Sequence, residues 1–161
     1  MTQATGTFSG TNPPKCILQA PTRNAVTFSQ ERDRDGFPFK LFAETGSQRL
    51  EYTFRCNGAR ATIHFSHPQR VQIPNSPAIA PNSRYFTSVS VSNPTGAFHY
   101  KDIKTLQPST SAELVLPASS YTSAQTMSVG FAIRSGADAN IPFLAGNYQF
   151  KFTATIEAGL Q

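Results

Sequence analysis

The residues of this 161-residue chain that could bind a metal, attack a substrate or move a proton are few, and their spacing builds no site. His64 and His67 are three apart, so on a strand they point to opposite faces, and no cysteine or carboxylate stands at ligand spacing beside them. Asp33-Arg34-Asp35-Gly36 copies the opening of a calcium loop but lacks the downstream bidentate glutamate, which makes it a solvated turn. In Gly6-Thr7-Phe8-Ser9-Gly10 the serine falls one place late for a nucleophile elbow. His99 lies between Phe98 and Tyr100 and faces water if those two are core. With no base beside a nucleophile and no glycine-rich phosphate loop, the expectation is a non-enzyme with no catalytic residues, metal or cofactor.

Cys16 opens a predicted strand, Ile17 to Ala20, and Cys56 closes another, Leu50 to Arg55. Two strand cysteines forty positions apart suit a disulfide, which persists in oxidising compartments, while two buried free thiols are the alternative. The net charge of +5 suits anionic partners without choosing among them. Arg84-Tyr85-Phe86 and His99-Tyr100-Lys101 mix cations with rings, but alternation in an ordinary strand produces the same mixture, so no specific nucleic acid is expected. Lys15 is the one basic residue before Arg23, so the basic arm of a genome-packaging coat protein is missing.

The elements that must carry these residues read as strands. Apolar residues make up 39% of the chain, thirteen of them phenylalanine, and only 14% are charged, with Ser, Thr, Pro and Gly between short apolar runs. One domain is the simplest division, and no apolar run is long enough to span a membrane as a helix. Met1 to Pro14 has no apolar h-region, which implies either a cytosolic protein or a removed leader. Cys16 to Ala20 and Val26 to Ser29 are short strands split at Pro21, Glu31 to Gly36 is a turn, and Phe37, Phe39, Leu41 and Ala43 alternate. Leu50 to Cys56 and Ala59 to Phe65 alternate on either side of Asn57-Gly58, which predicts a hairpin on a type I′ turn. Further strands follow at Val71 to Ile73, Tyr85 to Val91, Phe98 to Tyr100, Leu114 to Leu116 and Met127 to Ile133, with a turn at Asn93-Pro94-Thr95-Gly96. Tyr148, Phe150, Phe152, Ala154 and Ile156 then line one face of a terminal strand opened by Gly146 and Asn147. Thr2 to Gly10 alternates weakly and is separated from the rest by Asn12, Pro13 and Pro14.

Cys16-Ile17-Leu18 followed by Val26-Thr27-Phe28, Tyr52-Thr53-Phe54-Arg55-Cys56 followed by Ala61 to Phe65, and Ala145-Gly146-Asn147-Tyr148 opening the last strand together resemble a known family. They are similar to the pilin subunits of chaperone-usher fimbriae, of the archaic type related to spore coat protein U. The resemblance implies an all-β fold, an incomplete immunoglobulin-like antiparallel β-sandwich completed by a donor strand. It implies residues 1–14 as the N-terminal extension and 15–161 as the sandwich, a disulfide between Cys16 and Cys56, and Tyr148, Phe150, Phe152, Ala154 and Ile156 as one wall of an acceptor groove. Ala4, Gly6, Phe8 and Gly10 become the inward residues of the donor strand.

The same resemblance implies a structural subunit of an extracellular fimbria, polymerising by donor-strand exchange and mediating adhesion or biofilm formation. Its partners would be identical or related pilin subunits, a periplasmic chaperone, an outer-membrane usher, and an anionic surface or host receptor. The donor departs from the family's habit of several bulky residues, since Phe8 is its one large side chain. The groove is then narrow, or backbone bonds carry more of the joint, or another segment is the donor. The alternative function is a self-sufficient sandwich, either a lectin-like binding module or a jelly-roll coat protein.

Overall fold

The computed structural model describes residues 2–23, 25–58, 60–92, 98–117, 123–136 and 141–159. Alternation sets its strands, which in chain order are β1 (Cys16–Arg23), β2 (Ser29–Arg32), β3 (Pro38–Ala43), β4 (Leu50–Cys56), β5 (Arg60–Ser66) and β6 (Gln69–Val71). They continue with β7 (Arg84–Ser92), β8 (Phe98–Thr105), β9 (Ser111–Leu116), β10 (Gln125–Arg134), β11 (Gln149–Lys151) and β12 (Ala154–Gly159). The described residues contain no α-helix, only a 3₁₀ turn at Gly46–Gln48.

β10 is the axis of a seven-stranded antiparallel sheet. One edge pairs with β7 along most of its length, with Met127 opposite Val91 and Arg134 opposite Arg84. The other edge pairs first with β4, Gln125 to Val129, and then with β3, Phe131 to Arg134. β1 extends the sheet beyond β4, β2 beyond β3 and β8 beyond β7. A second sheet runs β12-β5-β9, and β11 pairs with β6 in a short ribbon. The inward residues of the two larger sheets meet in one core containing Phe54, Ile63, Val89, Leu116, Met127 and Val129, which makes the fold an antiparallel sandwich. A second cluster, Leu41, Tyr85, Phe131, Ile133 and Phe143, fills the end beneath β11.

Where β3 hands over to β4 along the edge of β10, Arg49 covers the seam. Its guanidinium donates to Ser128 Oγ and carbonyl, to Ser88 Oγ and carbonyl, and to the Glu44 carbonyl, at 2.6 to 3.2 Å. Gly130 makes room for it, because a Cβ there would lie 2.5 Å from Arg49 Nη1 and 3.2 Å from Glu44 Cα.

Four local expectations are corrected. β4 and β5 carry the expected inward faces, yet they are not a hairpin. β4 pairs with β1 and β10, and β5 with β9 and β12. A type I′ turn needs positive φ at both central residues, but only Gly58, at 84°, has it, and Asn57 does not. Asn57 is instead clasped to the chain ahead of β1, donating its N–H to the Lys15 carbonyl at 3.0 Å and accepting from the Lys15 N–H through Oδ1 at 2.9 Å. The connection therefore crosses from one sheet to the other.

β8 is turned the other way from its reading, since Phe98 and Tyr100 face water, 60% and 62% exposed, and Ile103 is the buried residue. β1 runs on through Pro21, which an edge strand tolerates, with register shifts on both sides of that proline. β2 begins only at Ser29 and takes in Glu31 and Arg32, which leaves Asp33 to Gly36 as the turn to β3. There Asp33 Oδ1 accepts from the N–H groups of Asp35 and Phe37, each at 2.9 Å, as an Asx turn should. The expected turn at residues 93–96 lies outside the described residues.

Candidate functional site

A large concavity follows from two strands that each lack a neighbour. β1 pairs only with β4, and β12 only with β5, so each presents an edge that carries no ladder among the described residues. The two edges border a groove of about 1210 Å³. Leu18 comes from β1, Leu50 and Tyr52 from β4, Val129 and Phe131 from β10, and the opposite wall is the segment from Gly146 to Ala154.

That wall is the expected terminal strand, altered in one respect. It is two strands with different partners, because Phe152 and Thr153 leave the ladder between them: β11 pairs with β6, Phe150 opposite Arg70, and β12 pairs with β5, Ile156 opposite Ile63. The expected alternation survives the break. Tyr148, Phe150, Ala154 and Ile156 are half-buried and Phe152 is buried, while Gln149, Lys151, Thr153, Thr155 and Glu157 are exposed. Tyr148, Phe150, Phe152 and Ala154 line the groove. Ile156 lies beyond it and packs on the main core.

Aromatic contacts fix the wall in place. The Phe150 ring meets Phe131 edge-on with centroids 5.2 Å apart, and Phe28 edge-on at 6.0 Å. Phe152 packs on Tyr52 at 5.9 Å, with Phe65 at 6.4 Å on its other side. Tyr148 O–H donates to the Leu144 carbonyl at 2.7 Å. Burial raises the Tyr148 phenol pKa against the lowering influence of Arg70, and burial alone raises that of Tyr52. Gly146 lets the wall start where it does, for at φ 153° a Cβ would meet the Asn75 carbonyl at 2.4 Å, the same oxygen that accepts from the Asn147 N–H at 2.8 Å.

Cys16 and Cys56 form a disulfide, and they are directly opposite one another in the β1–β4 ladder. The bridge ties the start of the groove's β1 edge to the core, since Cys56 is itself buried. Ahead of it, residues 2–13 are exposed and belong to no strand. Ala4, Gly6, Phe8 and Gly10 therefore sit on a free arm, and Phe8, the most exposed large apolar residue described, packs on nothing.

The histidines that invited a metal reading have other occupations. His64 lies between two carboxylates from neighbouring strands, Nδ1 3.2 Å from Glu113 on β9 and Nε2 3.0 Å from Glu157 on β12. The two ring nitrogens point apart, so the three side chains clamp the small sheet instead of converging on an ion. His67 is wholly buried, with Nδ1 2.6 Å from Thr87 Oγ1 and Nε2 3.1 Å from Thr105 Oγ1. The Thr105 hydroxyl donates to the Gln107 carbonyl, which leaves it to accept from Nε2–H, and Nδ1 accepts from Thr87. Burial lowers the His67 pKa to about 4.

The groove residues missed in the sequence are those of its other wall and floor: Leu18, Phe28, Leu50, Tyr52, Val129 and Phe131. Each showed an apolar strand position, but which strands flank β11 and β12 is a matter of topology, not of local pattern. Chemically the groove offers apolar contacts and backbone hydrogen bonds along two edges, which is what an extended peptide requires. Compared with known proteins, the chain matches no family model, no curated protein and no solved structure.

Proposed function

We propose that this chain is a structural subunit of an extracellular bacterial fimbria that polymerises by donor-strand exchange, in an incomplete immunoglobulin-like sandwich. The observation that carries the reading is the groove bounded by two unladdered strand edges, walled by half-buried Tyr148, Phe150 and Ala154. Side chains left half-buried on the inward face of a strand want another strand beside them, and an open edge is costly to leave unfilled. The exposed arm supplies a second support, since Phe8 packs on nothing within its own subunit.

On this reading residues 2–10 of one subunit add a strand to the groove of the next, with Ala4, Gly6, Phe8 and Gly10 inward. A periplasmic chaperone would occupy the groove before export through an outer-membrane usher, and the assembled fimbria would serve adhesion or biofilm formation. Backbone pairing would carry most of the joint, because burying Phe8 contributes about 1.5 to 3 kcal/mol and the small residues far less. Deleting residues 2–10 should abolish filaments seen by electron microscopy while leaving the disulfide-bonded subunit folded by circular dichroism. Filaments of undiminished length from the truncated chain would overturn the donor assignment.

A further inference from the structure

On the outer face of the large sheet, among residues that do not line the groove, the register lines up cations. Arg134 on β10 stands opposite Lys40 on β3 and opposite Arg84 on β7, so three positive side chains cross three adjacent strands in one row. Neighbouring strands are about 4.8 Å apart, and like charges directly opposite one another destabilise a sheet. Lys104 on β8, opposite Phe86, adds a fourth cation beside the row. All four line a depression of about 380 Å³. Its carboxylates are at one rim, where Glu31 is opposite Lys40 and Glu44 lies 3.5 Å from Lys40 Nζ. Among the described residues neither Arg84 nor Lys104 has a carboxylate within ion-pair distance, and Asp102 stands two places from Lys104 on the same strand face. A row of repelling cations is stabilised by an anion that spans it.

We infer that Lys40, Arg134, Arg84 and Lys104 form a binding strip for a sulfated or carboxylated polysaccharide chain. An extended glycan bears its charges one or two per sugar ring, a repeat close to the separation of these strands, and arginine forks take sulfate and carboxylate groups in a bidentate manner. Nucleic acid fits less well. Single strands bind where bases stack on open rings among the cations. Here the Arg134 guanidinium lies over Phe39 at 5.6 Å and the Lys40 ammonium near Phe42 at 5.4 Å, and the exposed rings of this face, Phe98 and Tyr100, lie along β8 on the far side of Asp102 from Lys104. The Cys16–Cys56 disulfide also suits an oxidising, extracellular setting, where anionic glycans are the polyanions at hand. The strip lies within one subunit and does not depend on polymerisation.

The test is calorimetric titration of the full chain with a heparin octasaccharide over a series of salt concentrations. The double variant Arg84→Ser with Arg134→Ser should bind about tenfold or more weakly, and its salt dependence should fall by about two charges. A control that removes the same charge elsewhere, Arg55→Ser with Arg60→Ser, should bind as the parent does. Arg84→Lys with Arg134→Lys, which keeps the charge and loses the forks, should fall between, and it serves if the serine variant melts early. Equal losses in the two serine variants, no binding by the parent, or tighter binding of an oligothymidylate of matched charge would each overturn the proposal.

Discussion

His67 shows how a titratable residue can serve the fold while presenting no chemistry to solvent. Its neutral ring is held between Thr87 and Thr105 and against the rings of Tyr85 and Phe131. The unfolded chain takes up a proton near the ordinary value of 6.5, whereas the folded chain resists until about 4. Stability is therefore undiminished above pH 6.5, falls as the pH drops between these two values, and loses no more from this group below the lower one. The loss is about 3 kcal/mol. Urea titrations at pH 7.5 and 4.5 should show this loss in the parent, and His67→Gln should flatten the slope; an unchanged slope in the variant would remove His67 as its source. The spacing of His64 and His67 was enough to argue against a shared ligand site. Neither the burial of one nor the carboxylate clamp on the other was legible, because Thr87, Thr105, Glu113 and Glu157 arrive from strands far off in the chain. Arg49 was invisible for the same reason, as its partners Ser88 and Ser128 lie on two other strands.

At the scale of elements, alternation identified the inward side chains of β3, β5, β7 and β10, which are buried, and of β4, where Phe54 and Cys56 are buried and Leu50 and Tyr52 half-buried; Phe37, read with β3, lies ahead of that strand and is exposed. It failed for β8, where Phe98 and Tyr100 look like core residues and face water, because hydrophobicity alone does not say which of two faces a short strand buries. It also failed to say who pairs with whom. Asn-Gly permits a hairpin without compelling one, and here the clasp between Asn57 and Lys15 lets β1 take the place beside β4 that β5 would have had. The disulfide reinforces that choice. Reducing it should cost about 4 kcal/mol on chain-entropy grounds for a closed loop of this length. Urea midpoints with and without dithiothreitol measure this directly, and a difference below about 1 kcal/mol would mean that the β1 ladder holds without its bridge.

For the whole molecule, the proposed exchange makes the groove and the free arm complementary halves of one unfinished sandwich. The patterned end of the chain was legible as a wall, but the opposite wall and the depth of the groove depend on all the strands between. A synthetic peptide of residues 2–10 added to the arm-deleted protein should raise its melting temperature, by an amount corresponding to about 2.7 kcal/mol at a hundredfold excess over the dissociation constant. The same peptide with Phe8→Asp should bind at least about tenfold more weakly, since an apolar contact of about 1.5 to 3 kcal/mol is lost. Equal shifts from the two peptides would show that the ring does not enter the groove.

The crossing at Asn57-Gly58 bears on time as well as on shape. Because β4 and β5 part there for different sheets, each must wait for partners made much later in the chain: β4 for β10, and β5 for β9 and β12. Such non-local pairing makes folding slow. β12, one of the two open edges that border the groove, is among the partners that must be waited for, so the unpaired strands of a newly made chain stay exposed for as long as the search lasts.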